Sequence, residues 1–203
     1  MISELISNMH DQIREKENKQ KVFKDLFDHT LLASGDSVPA IEYKLPYPKE
    51  DFLRFLVSEN GVLLHGSSNR DMEVLEPKQA NDSAKMSGNK KAVYCVSDPV
   101  LPIFYAIKDR DKFQNVIVSS GVLNNLETGD EEYHFRIPKS LLEIKPWTRG
   151  FVYILDKNKF NPEKNDKGDL SGEWTSGSPV KPLAKLEVGP EDFRFLDKVE
   201  GGE

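Results

Sequence analysis

One short motif in this sequence combines residue types that could bind a ligand and act on it. His65 closes the apolar run Val62-Leu63-Leu64 and is followed by Gly66, Ser67 and Ser68. Because glycine has no side chain, the backbone at Gly66 can approach a ligand closely. The imidazole and the hydroxyls beside it can donate and accept hydrogen bonds. The motif is therefore a candidate binding site, although a buried structural histidine is a competing explanation.

Other arrangements that carry chemistry find little support. His10 and His29 lie on a predicted helix, and His134 alternates with aromatic neighbours, which indicates a solvent-facing position on a strand. Cys95, the only cysteine, stands among valines, where a buried and inert thiol is the default. The sequence has no G-x-S-x-G, G-x-G-x-x-G or Walker motif and no pair of histidines at metal spacing. We therefore predict no metal site.

Two further groups of residues follow in an order that could build a site with His65. Tyr94 follows Ala92-Val93 within the short predicted strand 92–96, and a helix capped by Ser97 or Asp98 carries Tyr105, eleven residues after Tyr94. Glu173 opens a late predicted strand and is followed by Trp174. These positions would place a histidine, two tyrosines and a carboxylate on successive elements.

In their order and context these residues resemble the ADP-ribosyltransferases of the diphtheria-toxin and poly-ADP-ribose-polymerase type. In that family an apolar strand ends in His-Gly-Ser or His-Gly-Thr. A strand tyrosine follows, then a helix with a second tyrosine eleven residues on, and a glutamate before an aromatic residue opens a late strand. The resemblance covers residues 61–180 in outline and does not extend to residues 1–48. The whole chain is also similar to a bacterial family with the same YPK…LLHGS and EW…PEDF segments, which supplies no function.

The resemblance implies that NAD is the substrate. Tyr94 and Tyr105 would hold the nicotinamide, the Gly66 backbone would bind its carboxamide, and His65 would hold the adenosine-side ribose. Glu173 would bind the nicotinamide ribose and stabilise the positive charge that develops when the bond to nicotinamide breaks. The implied reaction is transfer of ADP-ribose to a macromolecule, expected to be a protein, or plain hydrolysis of NAD. The implied site is Glu173 as the catalytic residue and His65, Gly66, Ser67, Tyr94 and Tyr105 as the NAD-binding residues.

The sequence departs from the family at two positions, and two alternatives stay open. Pro102 stands where a serine often precedes the second tyrosine, and Ser171 replaces the Gln or Glu of arginine-modifying members, which argues against an arginine acceptor. The first alternative is a non-enzymatic interaction protein with a degenerate ADP-ribosyltransferase fold. The second is an NAD-dependent RNA 2′-phosphotransferase, which would need arginines converging on a phosphate. The arginines here are instead scattered between Arg14 and Arg194.

Composition excludes several other classes of function. The net charge is -6, the pI is about 5.4 and no basic stripe is present, so we do not expect general nucleic-acid binding. A single cysteine allows no internal disulfide and favours a reducing cytoplasm. No apolar run approaches the roughly 18 residues of a membrane helix. The first residues also lack the pattern of a secretory signal.

The patterning predicts an α+β protein with two parts, an N-terminal helical segment with a linker (1–48) and the ADP-ribosyltransferase-like domain (49–203). Apolar residues recur at spacings of three and four on both sides of the polar run 15–21, which predicts two amphipathic helical pieces. We expect this segment to dock on the core. A contact between copies of the chain through these helices is the open alternative.

Strand patterns account for most of the rest of the chain. Pro48 suits the first turn of a helix that stops at Gly61. The segment 156–172 is polar and rich in Gly, Asn and Lys, so we predict a mobile surface loop. The resemblance implies two apposed, mostly antiparallel sheets with the NAD cleft between them, and the side chains of His65, Tyr94 and Glu173 are expected to converge there. The predicted strands are 62–64, 92–96, 115–119, 132–137, 150–155, 173–176 and 183–188.

Overall fold

The structure, a computed structural model, describes residues 2–33, 35–79, 90–114, 116, 118–124, 131–164 and 168–202. Its helices are α1 (Ile2–Leu32), α2 (Lys49–Asn60), α3 (Val100–Ala106) and α4 (Lys139–Glu143). Its strands are β1 (Val62–Ser67), β2 (Lys78–Gln79), β3 (Lys91–Val96), β4 (Ser119–Asn124), β5 (Glu131–Pro138), β6 (Gly150–Asp156), β7 (Asn161–Lys164), β8 (Leu170–Ser176), β9 (Ala184–Val188) and β10 (Glu200–Gly202).

The strands form two sheets. The main sheet has the order β7-β8-β3-β1-β6-β9, with β2 paired to β3, and all of its pairings are antiparallel. The smaller sheet has the order β10-β5-β4, in which β10 runs parallel to β5. The predicted α+β class, with an N-terminal helix and mostly antiparallel sheets, is confirmed.

The two faces of the main sheet bury separate apolar clusters because successive side chains of a strand point to opposite sides. Val62 and Leu64 of β1 contribute to the larger cluster, together with α2, α3 and β5 of the smaller sheet. Leu63 contributes to the smaller cluster, together with Leu75, Phe160 and Val180 from the connections. We call these the helix face and the loop face of the main sheet.

The N-terminal segment forms one continuous helix rather than two pieces. The polar run 15–21 consists mainly of Glu, Lys and Gln, which are good helix formers, so it does not interrupt α1. Phe23 and Phe27 are buried in the larger cluster, where the Phe23 ring lies 5.4 Å from that of Phe52. Residues 6–18 are exposed. One half of α1 therefore docks on the core and the other half projects from it. None of the described helices is long and apolar enough to cross a membrane.

Local signals at two helix ends are confirmed. Gly61 adopts φ +60° after α2, a left-handed conformation that glycine tolerates best. Asp98 accepts hydrogen bonds from the backbone N–H groups of Val100 and Leu101 at 2.9 and 2.7 Å, so this carboxylate caps α3. This capping fixes where α3 begins on the helix face.

Two strand predictions need correction. The strand predicted at 115–119 is observed at Ser119–Asn124, and residues 115 and 117 lie outside the described residues. The segment 156–172 was predicted to be a surface loop, but it contains a 3-10 turn and β7, which pairs with β8. Phe160 anchors it in the smaller cluster. The strand pairing supplies the backbone hydrogen bonds that a polar composition alone does not reveal.

Candidate functional site

The three strands that carry His65, Tyr94 and Glu173 are immediate neighbours in the main sheet. Their order is β8-β3-β1, with the strand of Tyr94 in the middle. Tyr94 is separated from both other residues by a long stretch of chain, so only the antiparallel pairing brings them together. The sequence patterns indicated the strands but not this adjacency.

Pairing places Glu173 and Tyr94 on the same face. Val96 pairs with Leu64 on one side and with Glu173 on the other, and directly paired residues point to the same side of a sheet. Leu64 belongs to the helix face, so Glu173 lies on that face as well. Tyr94 is two residues before Val96 and shares its direction. The carboxylate and the tyrosine ring therefore occupy one side of adjacent strands.

The expectation that His65 joins them in one cleft needs correction. His65 pairs with Tyr153, whose side chain is buried in the cluster on the loop face. The Cα–Cβ bond of His65 therefore points away from the face that carries Glu173. The physical reason is its position one residue beyond Leu64, because a shift of one residue reverses the direction of a side chain.

The His65 ring nevertheless contacts the strand of Tyr94. Its Nδ1 lies 2.8 Å from the Tyr94 carbonyl oxygen. A carbonyl can only accept, so Nδ1 donates the proton and Nε2 of the neutral ring is left as an acceptor. Burial lowers the pKa of His65 below its usual value, which favours this neutral form. No described residue forms a hydrogen bond with Nε2. That atom could accept a hydrogen bond from a ligand hydroxyl.

Gly66 and Ser67 have local structural roles. A Cβ on Gly66 would lie 1.8 Å from the carbonyl oxygen of Pro102, so the first turn of α3 packs directly on this strand. Only glycine fits there, whether or not a ligand binds. The Ser67 hydroxyl accepts a hydrogen bond from the Asn69 N–H at 3.1 Å and stabilises the turn that follows β1. The Ser67 side chain thus has a structural role in the turn that follows β1.

The two tyrosines are held by different elements. The Tyr94 hydroxyl donates to the Lys90 carbonyl at 2.8 Å. Tyr105 on α3 is 40% exposed, and its hydroxyl lies 2.9 Å from Oγ of Ser120 on β4. The ammonium of Lys108 lies 4.2 Å from the centre of the Tyr105 ring. Burial lowers the pKa of Lys108 to about 8, whereas contact with an aromatic ring favours its charged form. Tyr105 therefore already binds a cation of the protein itself.

Glu163 is a second carboxylate beside Tyr94, and sequence reasoning missed it. It is buried, and its Oε1 accepts a hydrogen bond from Thr175 Oγ1 at 2.6 Å. Lys90 Nζ lies 2.9 Å from each of its carboxylate oxygens. The hydrogen bond from Thr175, supported by Lys90, lowers the pKa of Glu163 against the opposing effect of burial. No local pattern indicated Glu163, because it lies in the polar segment 156–172, whose composition predicts a surface loop.

One groove on the described surface lies elsewhere. It has a volume of about 430 Å³ and lies beside β6 and β9, at the opposite edge of the main sheet from β8. Its cations are already paired, because Lys49 binds Asp192 at 2.9 Å and Arg149 binds Glu191. The groove is therefore separate from the face that carries Tyr94 and Glu173.

The face around Tyr94 combines a carboxylate and an aromatic ring on adjacent strands, while the neutral imidazole of His65 points to the other face of the sheet. Such a set could bind a sugar through its hydroxyls and stabilise positive charge on it. Comparison with protein-family models, with curated proteins and with solved structures finds no match for this chain.

Proposed function

We propose that this protein binds NAD and breaks its bond between nicotinamide and ribose, transferring ADP-ribose to a macromolecular acceptor, expected to be a protein, or to water. The observation that carries the proposal is the shared face of Tyr94 and Glu173 on adjacent strands. Gly66 lies on the third strand and faces the same side, toward α3. These are the residues that the family resemblance assigns to the nicotinamide end of NAD.

Cleavage of the bond between nicotinamide and ribose requires few protein groups beyond these residues. Nicotinamide leaves as a neutral molecule, so a strong general acid is not needed. Positive charge develops on the ribose in the transition state, and the carboxylate of Glu173 would stabilise it there. Tyr94 would form one wall for the nicotinamide, and Tyr105 would form the other after Lys108 leaves its ring. Each group would thus act on the part of NAD that its chemistry suits.

His65 would act at the adenosine end. Its Nδ1 is engaged with the Tyr94 carbonyl, and its Nε2 would accept a hydrogen bond from a ribose hydroxyl. The hydrogen-bonded ring fixes the tautomer that this role requires. Since its Cα–Cβ bond points to the loop face, NAD would have to reach it across the end of β1.

The test is release of nicotinamide from NAD by the purified protein, compared between wild type and Glu173→Gln. The substitution keeps the size of the side chain and removes its charge. Turnover should fall by roughly 10²–10³-fold, the usual loss for one preorganised electrostatic group, while NAD affinity changes much less. Glu187→Gln is the matched control, because Glu187 is exposed on β9 at the far edge of the sheet. A Glu173→Gln variant with wild-type turnover would remove Glu173 from the site.

A second candidate is a non-enzymatic interaction protein with a degenerate ADP-ribosyltransferase fold. One observation favours it: the Pro102 carbonyl occupies the space over Gly66, where the nicotinamide carboxamide would have to bind. A wild type that binds NAD and releases no nicotinamide would support this candidate. A wild type that does not bind NAD would contradict the proposed function altogether.

A further inference from the structure

A chain of hydrogen bonds connects Tyr94 to Glu173 through Glu163. We infer that Glu163 is a positioning residue that holds the Tyr94 ring and the Glu173 carboxylate in a fixed relation to each other. Its effect on turnover rests on the proposed function, whereas its effect on geometry does not. Glu163 lies on β7, at the outer edge of the main sheet, and therefore not on β8, β3 or β1, the strands that carry the candidate site residues.

The contacts on the Tyr94 side run through Lys90. The Tyr94 hydroxyl donates to the Lys90 carbonyl at 2.8 Å, and the ammonium of Lys90 binds both carboxylate oxygens of Glu163 at 2.9 Å. Lys90 directly precedes β3, so its ion pair with Glu163 fastens the start of that strand to β7. The Tyr94 hydroxyl is therefore bonded to the Lys90 carbonyl, and the position of Lys90 depends in turn on its ion pair with Glu163.

The contacts on the Glu173 side run through Ser171. The Ser171 hydroxyl donates to the Glu163 backbone carbonyl at 3.1 Å and accepts from the Glu173 N–H at 3.2 Å. Gly172 lies between them with φ +78°, a conformation that other residues rarely adopt. The backbone that leads into Glu173 is thus constrained at both Ser171 and Gly172.

Thr175 joins the two arms. Its hydroxyl donates to Glu163 Oε1 at 2.6 Å, and its backbone pairs with Tyr94 across β8 and β3. Glu163 lies at the irregularity between Pro162 and Lys164, where the register of β7 with β8 shifts. Asn161 pairs with Thr175 and so lies on the face that carries Tyr94, and Glu163, two residues further along β7, points to the same side.

Glu163 is suited to positioning rather than to proton transfer. The residue is 8% exposed, and its carboxylate accepts hydrogen bonds from Thr175 and Lys90. These donors favour the charged form, so the group does not take up a proton near neutral pH. Replacing the carboxylate leaves Thr175 and Lys90 with an incomplete acceptor. The effect reaches Ser171 through movement of the β7 backbone, because Ser171 binds the Glu163 backbone carbonyl.

The experiment compares Glu163→Gln with wild type by NMR, using the exchange rate of the Glu173 amide proton and the ring resonance of Tyr94 in protein with ¹³C-labelled tyrosine. We expect the Tyr94 resonance to shift, because Gln places an amide NH₂, which donates and cannot accept, where Lys90 binds one of the carboxylate oxygens. We expect the Glu173 amide to exchange about tenfold faster, because the loosened β7 backbone carries the carbonyl that binds Ser171. Glu187→Gln should leave both signals unchanged. Unchanged signals in Glu163→Gln would overturn the inference.

Ser171→Ala provides the second variant, in case Glu163→Gln does not fold. Ser171 is exposed, and its removal breaks only the arm that leads to Glu173. We expect faster exchange of the Glu173 amide with the Tyr94 resonance unchanged. A Glu173 amide that exchanges at the wild-type rate would contradict the connection through Ser171.

The kinetic consequence is measured separately. With nicotinamide release as the readout, Glu163→Gln should lower kcat by about 10²-fold with a much smaller change in NAD affinity, since small displacements of reacting groups cost this much. In the Glu173→Gln background the same substitution should cause little further loss, because both act through one carboxylate. Additive losses would overturn the positioning role. A wild type without turnover would contradict the proposed function, while the NMR signals would still decide the inference.

Discussion

At the residue scale, His65 is held by one hydrogen bond that determines which ring nitrogen carries the proton and how the ring is oriented. The Tyr94 carbonyl can only accept, so Nδ1 of the ring carries a proton. Burial lowers the pKa of His65, so the folded protein binds a proton at this site less readily than the unfolded chain. Protonation would place a charge on a buried ring, so the folded state is sensitive to acid at this residue.

The stability of the protein should reflect this titration. The unfolded chain has the ordinary histidine pKa of 6.5, and the folded value is lower. Stability from the neutral ring is therefore complete above pH 6.5 and decreases as the pH falls from 6.5 toward the folded pKa. Urea unfolding between pH 8 and pH 5 should show this loss in wild type.

His65→Asn should show a weaker dependence over the same range. Its side-chain amide can still donate to the Tyr94 carbonyl from the position of Nδ1, but it does not titrate. His134→Asn is the control, since His134 is exposed on β5, and it should behave like wild type. If His65→Asn lost stability on acidification as steeply as wild type, the dependence would come from another group.

At the element scale, α1 combines two halves with different environments. Phe23 is 1% exposed and packs against Tyr47 and Phe52, whereas Ile6, Met9 and Ile13 are about half exposed. The docked half therefore belongs to the core of the molecule. The expected contact between copies of the chain stays a prediction, and the exposed apolar residues of the projecting half are where it would form.

This difference between the halves predicts opposite effects of two changes. Deleting residues 2–13 should leave the free energy of unfolding in urea within about 0.5 kcal/mol of wild type, because the side chains described there are exposed. Phe23→Ala should cost about 3–5 kcal/mol, because it leaves a cavity in the larger cluster. A deletion as costly as Phe23→Ala would show that the projecting half has a stabilising partner, such as a second copy.

At the scale of the whole molecule, one sheet separates two buried clusters. Leu64 and Leu63 are neighbours on β1 and belong to the larger and the smaller cluster respectively. Both clusters pack against strands that are held by the same backbone hydrogen bonds. Neither cluster can therefore unfold unless the strand between them, β1, unfolds as well. The described part of the chain should therefore unfold as a single unit.

Substitutions on either face test this coupling. Leu56→Ala in the larger cluster and Leu155→Ala in the smaller one each remove a buried side chain. Each should lower the free energy of unfolding by about 2–5 kcal/mol, with one transition that coincides by far-ultraviolet circular dichroism and by tryptophan fluorescence. A second transition in either variant would show that the two faces unfold independently.

The sequence alone determined the elements whose signals are local. Gly61 predicted the end of α2, Asp98 predicted the start of α3, and the apolar runs predicted most strands of the main sheet. These signals depend on hydrogen bonds and conformations within a few residues, so they can be found in one short stretch of chain. The coarse α+β class follows from them.

Only the tertiary structure decided which of the candidate residues share a face. The row that joins Leu64, Val96 and Glu173 depends on the register between strands that are distant in the chain. A change of one residue in that register would exchange the positions of Glu173 and its neighbour, and the composition of each strand would be the same. The role of Glu163 was hidden for the same reason, since its partners Lys90 and Thr175 come from other strands or their ends. Pairing between distant segments is set by the packing of the whole sheet, which no local pattern encodes.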